Sequence, residues 1–120
     1  MEIYGRYGRP MLLAETGTEF EARPEWLRYA AGEVALARCK GVPMEGLCLY
    51  PILNHFGWDD DRPCQNGLLE HGWSGNGRTV YRPLADELAR WTGLMSEEQG
   101  ADPIATWTGA RLMEALEDSA

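Results

Sequence analysis

The chain has 120 residues, enough for one compact domain with a real core and too few for two. Its hydrophobic share of 44% and charged share of 25% are those of an ordinary soluble globular protein. A formal net charge of -8 argues against a nucleic-acid surface, which needs clustered Lys and Arg, and against a membrane-surface patch. No apolar run reaches the length of a membrane span, and "MEIYGRYGRP" lacks the apolar core of a secretory signal. Cys39, Cys48 and Cys64 are an odd number without CxxC spacing, which fits reduced, buried thiols in a cytoplasmic protein better than a disulfide framework. A catalytic thiol is the alternative, without a histidine at a suggestive position.

Taken in chain order, the first element is the apolar run "MLLA" at 11–14, entered through Gly8-Arg9-Pro10 and read as a strand buried on both faces. A helix is predicted over 24–40. Pro24 suits its first turn, Glu25 adds favourable charge there, and Leu27, Ala30, Ala31, Val34 and Ala37 recur at helical spacing. Gly41 is a plausible C-terminal stop. "MEGLCLYPIL" is a second apolar run ending abruptly in polar residues, so strand, helix and strand form a right-handed βαβ unit with parallel strands.

From Pro51 to Arg82 the chain is loop-like, with two short extended arms around a Gly75-Asn76-Gly77 turn. A helix is predicted over 83–91, and a last amphipathic helix carries Ile104, Trp107, Leu112 and Leu116. The class is α/β. Two parallel strands alone leave both sheet edges unpaired, so self-association or a partner chain through those edges is expected, or membership of something larger.

These motifs resemble the C-terminal quarter of family 1 glycoside hydrolases, retaining β-glycosidases built on a (β/α)8 barrel. In that family strand seven typically ends in Thr-Glu-Asn-Gly, whose glutamate is the nucleophile; here "LLAETG" holds Glu15 in that place, with Ala14 and Thr16 departing from the pattern. "KGVPMEGLCLYPILNHFGW" is similar to the entry into strand eight, and "NGLLEHGWSGNGRTVYRPLADELARW" to the Gly-Leu, extended turn, Arg and closing helix that follow. The likeness runs from about residue 8 to residue 92. It implies residues 1–92 as the C-terminal segment of a glycosidase-like, partial (β/α)8 barrel, with a βαβ unit, a loop and hairpin, and C-terminal helices. Residues 93–120 would be a helical tail.

The resemblance makes Glu15 the nucleophile at the carboxyl end of a barrel strand, where such active sites lie. A retaining glycosidase needs one carboxylate to attack the anomeric carbon and a second carboxyl about 5 Å away to protonate the leaving oxygen. Read without it, Glu15 is a solvated loop acid capping the next helical turn. Trp58 matches an aromatic residue near the sugar subsite, and loop packing is its other reading. Asn54 and His55 replace Asp and Asn and are expected to face the pocket, although a lone loop histidine is often an ordinary packing residue. Gly57 stands where the family often has a glutamate that grips sugar hydroxyls, which unsettles glucose or galactose specificity. Tyr50-Pro51 replaces a Trp-Ser pair often joined by a cis peptide, so a cis bond, far less costly before proline, is expected, with the Tyr50 ring lining the pocket. The Asp59-Asp60-Asp61 run matches neither an EF-hand nor a zinc pattern, and no metal or other cofactor is expected.

The family's acid/base motif, Asn-Glu-Pro, is absent. A complete barrel takes at least about 200 residues, so this chain would supply two of eight strands and one of two catalytic carboxyls. Met1 would fall in the helix before strand seven, which suits a fragment. Hydrolysis by the chain alone should be negligible, because acid–base assistance commonly gives about 100-fold or more. The ligand would be a β-glycoside once the barrel is completed. A small non-catalytic α/β module binding carbohydrate or a partner chain is the competing reading.

Overall fold

The computed structural model describes residues 2–70 and 77–99. A short helix α1 (Glu2–Tyr7) leads into strand β1 (Met11–Thr16), helix α2 (Arg23–Cys39) and strand β2 (Met44–Leu49). β1 and β2 pair in parallel, the βαβ arrangement read from the sequence. The hydrogen bond from the Met11 N–H to the Pro43 carbonyl opens the ladder, and that from the Tyr50 N–H to the Thr16 carbonyl closes it.

α2 begins at a 3-10 turn, Phe20–Ala22, has Pro24 in its first turn, and stops at Gly41. Gly41 takes φ 81°, a left-handed cap conformation that costs glycine least. Arg38 in the last turn donates to the Met44 carbonyl and ties the helix end to the start of β2. The buried face of α2 is Leu27, Ala30, Ala31, Val34 and Ala35. Ala35 occupies the place expected of Ala37, which is half-buried.

The stretch read as loop carries two short antiparallel pairs. β3 (His55–Phe56) pairs antiparallel with β4 (Pro63–Cys64), and β5 (Leu69–Glu70) with β6 (Thr79–Val80). The latter pair matches the two expected arms; the Gly75-Asn76-Gly77 turn falls largely outside the described residues. The second apolar run does not continue as strand through Leu53. It breaks at Tyr50-Pro51, whose peptide is cis, as the X-Pro reading expected.

Helix α3 (Arg82–Gln99) extends well past the expected end at residue 91. Leu94 and Met95, beyond Gly93, pack on the cluster of Ala31, Ala35 and Trp91, with Leu47 of β2 on the same cluster. Tertiary packing therefore outweighs the cost of one glycine, about 1 kcal/mol. Fully burying Leu27, Leu84 and the Trp91 ring contributes roughly 1.5–3 kcal/mol each. The Trp107 helix expected of the tail lies outside the described residues.

β1 is not buried on both faces. α2 covers one side, leaving Met11 and Leu13 half-buried, while Leu12 is 51% exposed and Ala14 and Cys48 are exposed. Among the described residues nothing lies over that second face or pairs with the outer edges, and no barrel is formed. Burial of the thiols was likewise expected and holds for Cys64 alone. Cys48 sits on the uncovered sheet face and Cys39 in the exposed last turn of α2, and no two of the three cysteines are joined in a disulfide. No described helix is long and apolar enough to cross a membrane.

Candidate functional site

Because β1 and β2 run parallel, their carboxyl ends share one rim, which carries Glu15 at the end of β1 and Tyr50 just after β2. The ladder is irregular there. Leu13 pairs with Leu47 and Thr16 with Leu49, so Ala14 and Glu15 together oppose Cys48 alone. Such a bulge interrupts the alternation of side chains and re-aims one of them. Ala14 and Glu15 are accordingly both exposed in succession. Among the described residues the Glu15 carboxylate has neither a hydrogen bond nor an ion pair. It is an open acceptor at a strand end, the form a nucleophile or a ligand contact needs.

The residues behind Glu15 are fixed. Thr16 accepts from the Tyr50 N–H at 2.9 Å through its carbonyl, and from the Trp26 indole N–H at 2.8 Å through Oγ1. Gly17 lies so close to β2 that a Cβ would fall 1.9 Å from the Tyr50 carbonyl oxygen. The glycine of "ETG" is thus required by the approach of the two strand ends.

Tyr50 follows β2 on the same rim, 40% exposed, with its ring 6.1 Å from that of His55. His55 is held at both nitrogens. The Phe56 carbonyl only accepts, so the proton is assigned to Nδ1, 2.6 Å from it, and Nε2 accepts from the Asn66 amide at 2.9 Å. Asn54 is buried at 4% exposure, and its Oδ1 accepts from the Gly67 N–H at 2.7 Å. Its amide oxygen organises the loop.

Trp58 is 87% exposed, so it does not pack in a loop core. It sits in the turn between β3 and β4, which is closed by the Gly57 N–H to the Arg62 carbonyl at 2.8 Å and by the Arg62 N–H to Asp60 Oδ1 at 3.1 Å. A Cβ on Gly57 would lie 2.0 Å from Asp60 Oδ1, so the carboxylate that closes the turn leaves no room for a side chain there.

Sequence reading missed the two arginines that assemble this rim. Arg23, buried, donates through Nε to the Phe20 carbonyl and through Nη1 to the Gly67 carbonyl, both at 2.7 Å, lies 3.8 Å from Glu70, and stacks 3.6 Å over the Tyr81 ring. It joins the β1–α2 loop to the long loop and to the approach to α3. Arg62 makes a forked pair with Glu19, at 2.8 and 3.0 Å. Hydrogen bonding from Arg62 holds the Glu19 carboxyl below the usual range, and the same pair raises the Arg62 guanidinium further above neutrality. Nothing in "TEFEARP" or "DDDRPC" signals these contacts, because each arginine acts across 40 or more residues.

Neither a protein-family model nor a curated protein matches the sequence. Among solved structures, the crystal structure of the β-glycosidase from the hyperthermophile Thermosphaera aggregans is similar, with a TM-score of 0.66 and 21% identity over 76% of this chain. The chain shares its fold with part of that β-glycosidase. It spans 20% of that protein's length, and at this identity the likeness is one of fold.

Proposed function

We propose that the chain is the C-terminal segment of, or a subunit resembling, a retaining β-glycosidase, with Glu15 as the nucleophile toward an O-glycosidic bond. The observation that carries this reading is the unpartnered Glu15 carboxylate, turned out by a bulge at the carboxyl end of a parallel strand in a β-glycosidase-like fold. One Glu15 oxygen attacks the anomeric carbon, the bond to the leaving group breaks with its electron pair, and a glycosyl ester forms. Tyr50, His55 and Trp58 would offer ring surfaces to the sugar, and Asn54 holds the loop that carries His55. Glu19, the next carboxylate along the chain, is kept ionised by Arg62 and is unsuited to donate a proton. The proton donor would then come with the strands that complete a barrel.

A leaving group that departs without protonation bypasses the missing donor. Incubation with a 2-fluoro-glycosyl fluoride should therefore label Glu15 covalently, fluoride being released, and peptide mass spectrometry should locate the ester. Glu15→Gln should abolish the label. An unlabelled parent chain, or equal labelling of the variant, would overturn the assignment. The exposure of Trp58 favours a second reading, a non-catalytic module that stacks carbohydrate or a partner chain on its indole. Saturable saccharide binding without labelling would select it.

A further inference from the structure

We infer that the Glu19–Arg62 pair is a latch that fixes the Trp58 hairpin to the segment carrying Glu15, and that Arg62 is thereby a positioning residue for ligand binding. The inference rests on the proposed carbohydrate site for its function, and on geometry alone for the latch.

The β3–β4 ladder is only two residues long on each side. A hairpin of that length has little stability of its own in water. Its turn contains Gly57, Trp58 and three aspartates, whose mutual repulsion opposes a tight closure. Arg62 answers each weakness. Its N–H and carbonyl close the turn to Asp60 and Gly57, its carbonyl also lies 3.7 Å from the Cys64 thiol that donates to it, and its side chain reaches Glu19. The forked geometry restrains orientation as well as distance. A second tie lies beside it, from the Phe20 N–H to the Gln65 carbonyl at 2.8 Å.

Glu19 lies four residues after Glu15, in the loop leaving β1. The hairpin is therefore clipped to the same segment that carries the proposed nucleophile. Phe20, directly behind Glu19, adopts φ 58°, a left-handed conformation uncommon for a bulky residue. The backbone accepts this value where the Glu19 carboxylate and the Phe20 N–H and carbonyl all engage Arg62, Gln65 and Arg23.

The test uses the full chain labelled with 5-fluorotryptophan, the Trp58 resonance being assigned with Trp58→Phe. Arg62→Met and the milder Glu19→Gln should shift or broaden the Trp58 signal and leave that of buried Trp91 in place. The reversed pair, Glu19→Arg with Arg62→Glu, should restore it. Titration with a phenyl β-glycoside should show roughly tenfold weaker binding to Arg62→Met, the loss expected when a ring must be reordered on binding. A Trp58 signal unmoved in both single variants overturns the latch. A moved signal with unchanged affinity overturns the positioning role. A parent chain that binds no glycoside counts against the carbohydrate site, while the ligand-free spectra still decide the latch.

Discussion

Replacing Gly17 by alanine tests whether the strand ends are packed as tightly as the site requires. The added Cβ would lie 1.9 Å from the Tyr50 carbonyl oxygen and 3.1 Å from its carbon. An ordinary carbon–oxygen approach is about 3.3 Å, so the strand ends must separate by roughly 1.4 Å. That strains or breaks the 2.9 Å bond from the Tyr50 N–H to the Thr16 carbonyl. Overpacking costs about 1–3 kcal/mol and the lost hydrogen bond about 0.5–1.5 kcal/mol, offset by about 0.4–1 kcal/mol from a stiffer unfolded chain. The net expectation is about 2–3 kcal/mol, or a fall of roughly 1–2 M in the urea midpoint at unchanged slope. Gly5→Ala in α1, where an added Cβ meets nothing within 4 Å, is the control and should be neutral or slightly stabilising. A Gly17→Ala chain within about 0.5 kcal/mol of the parent would refute the close approach, and with it the rim as described.

Arg23→Met should destabilise the chain by about 2–4 kcal/mol in urea unfolding, because it strands the buried Gly67 carbonyl and removes the cation over Tyr81; faster amide exchange at Gly67 should accompany it. Glu87→Gln should cost about 1–3 kcal/mol near neutral pH, since buried Glu87 accepts from Arg28 at 2.8 and 3.1 Å and from Trp91 at 2.8 Å across α2 and α3. Burial alone would raise the Glu87 carboxyl, but bonding from Arg28 and Trp91 outweighs it and the folded value lies below the ordinary 4.5. A lowered folded value means the stabilisation is complete above the unfolded value and is lost as pH falls through the folded one. Midpoints measured from about pH 6 down to about pH 3 should therefore converge for parent and Glu87→Gln, and a gap that widens on acidification would contradict the sign.

The elements with strong local signals were legible in the sequence. Pro24, the apolar spacing of α2 and Gly41 place that helix to within about a residue, and two apolar runs around it leave a parallel pair as the economical pairing. The cis Tyr50-Pro51 bond was expected from the resemblance, which places a cis peptide at this point, and proline makes that isomer inexpensive. What failed depended on distant partners. The length of α3 is decided by Leu94 and Met95 meeting α2, and the exposure of Leu12 and Cys48 by the absence of a second layer over the described sheet. Side-chain alternation could not foresee the bulge at Ala14–Glu15, since it arises from the register against β2. Arg23 and Arg62 were invisible for the same reason: an arginine before a proline or after an acidic run has no sequence mark that assigns it a carbonyl or carboxylate far along the chain.

The two carboxylates of the β1–α2 segment show how position decides chemistry. Glu15 and Glu19 are the same residue type four positions apart, yet one is open and the other locked in a fork with Arg62. A proton donor must hold its proton near the working pH, and hydrogen bonds from a guanidinium oppose that. A nucleophile must keep a lone pair unengaged until substrate arrives, and the bulge supplies that by turning Glu15 away from its neighbours. If Glu15 is the nucleophile, the donor has to sit outside this segment, on an element facing the uncovered side of β1. The exposed side of the sheet and the incomplete chemistry of the rim are then one deficit with one remedy, a further set of strands laid against β1 and β2.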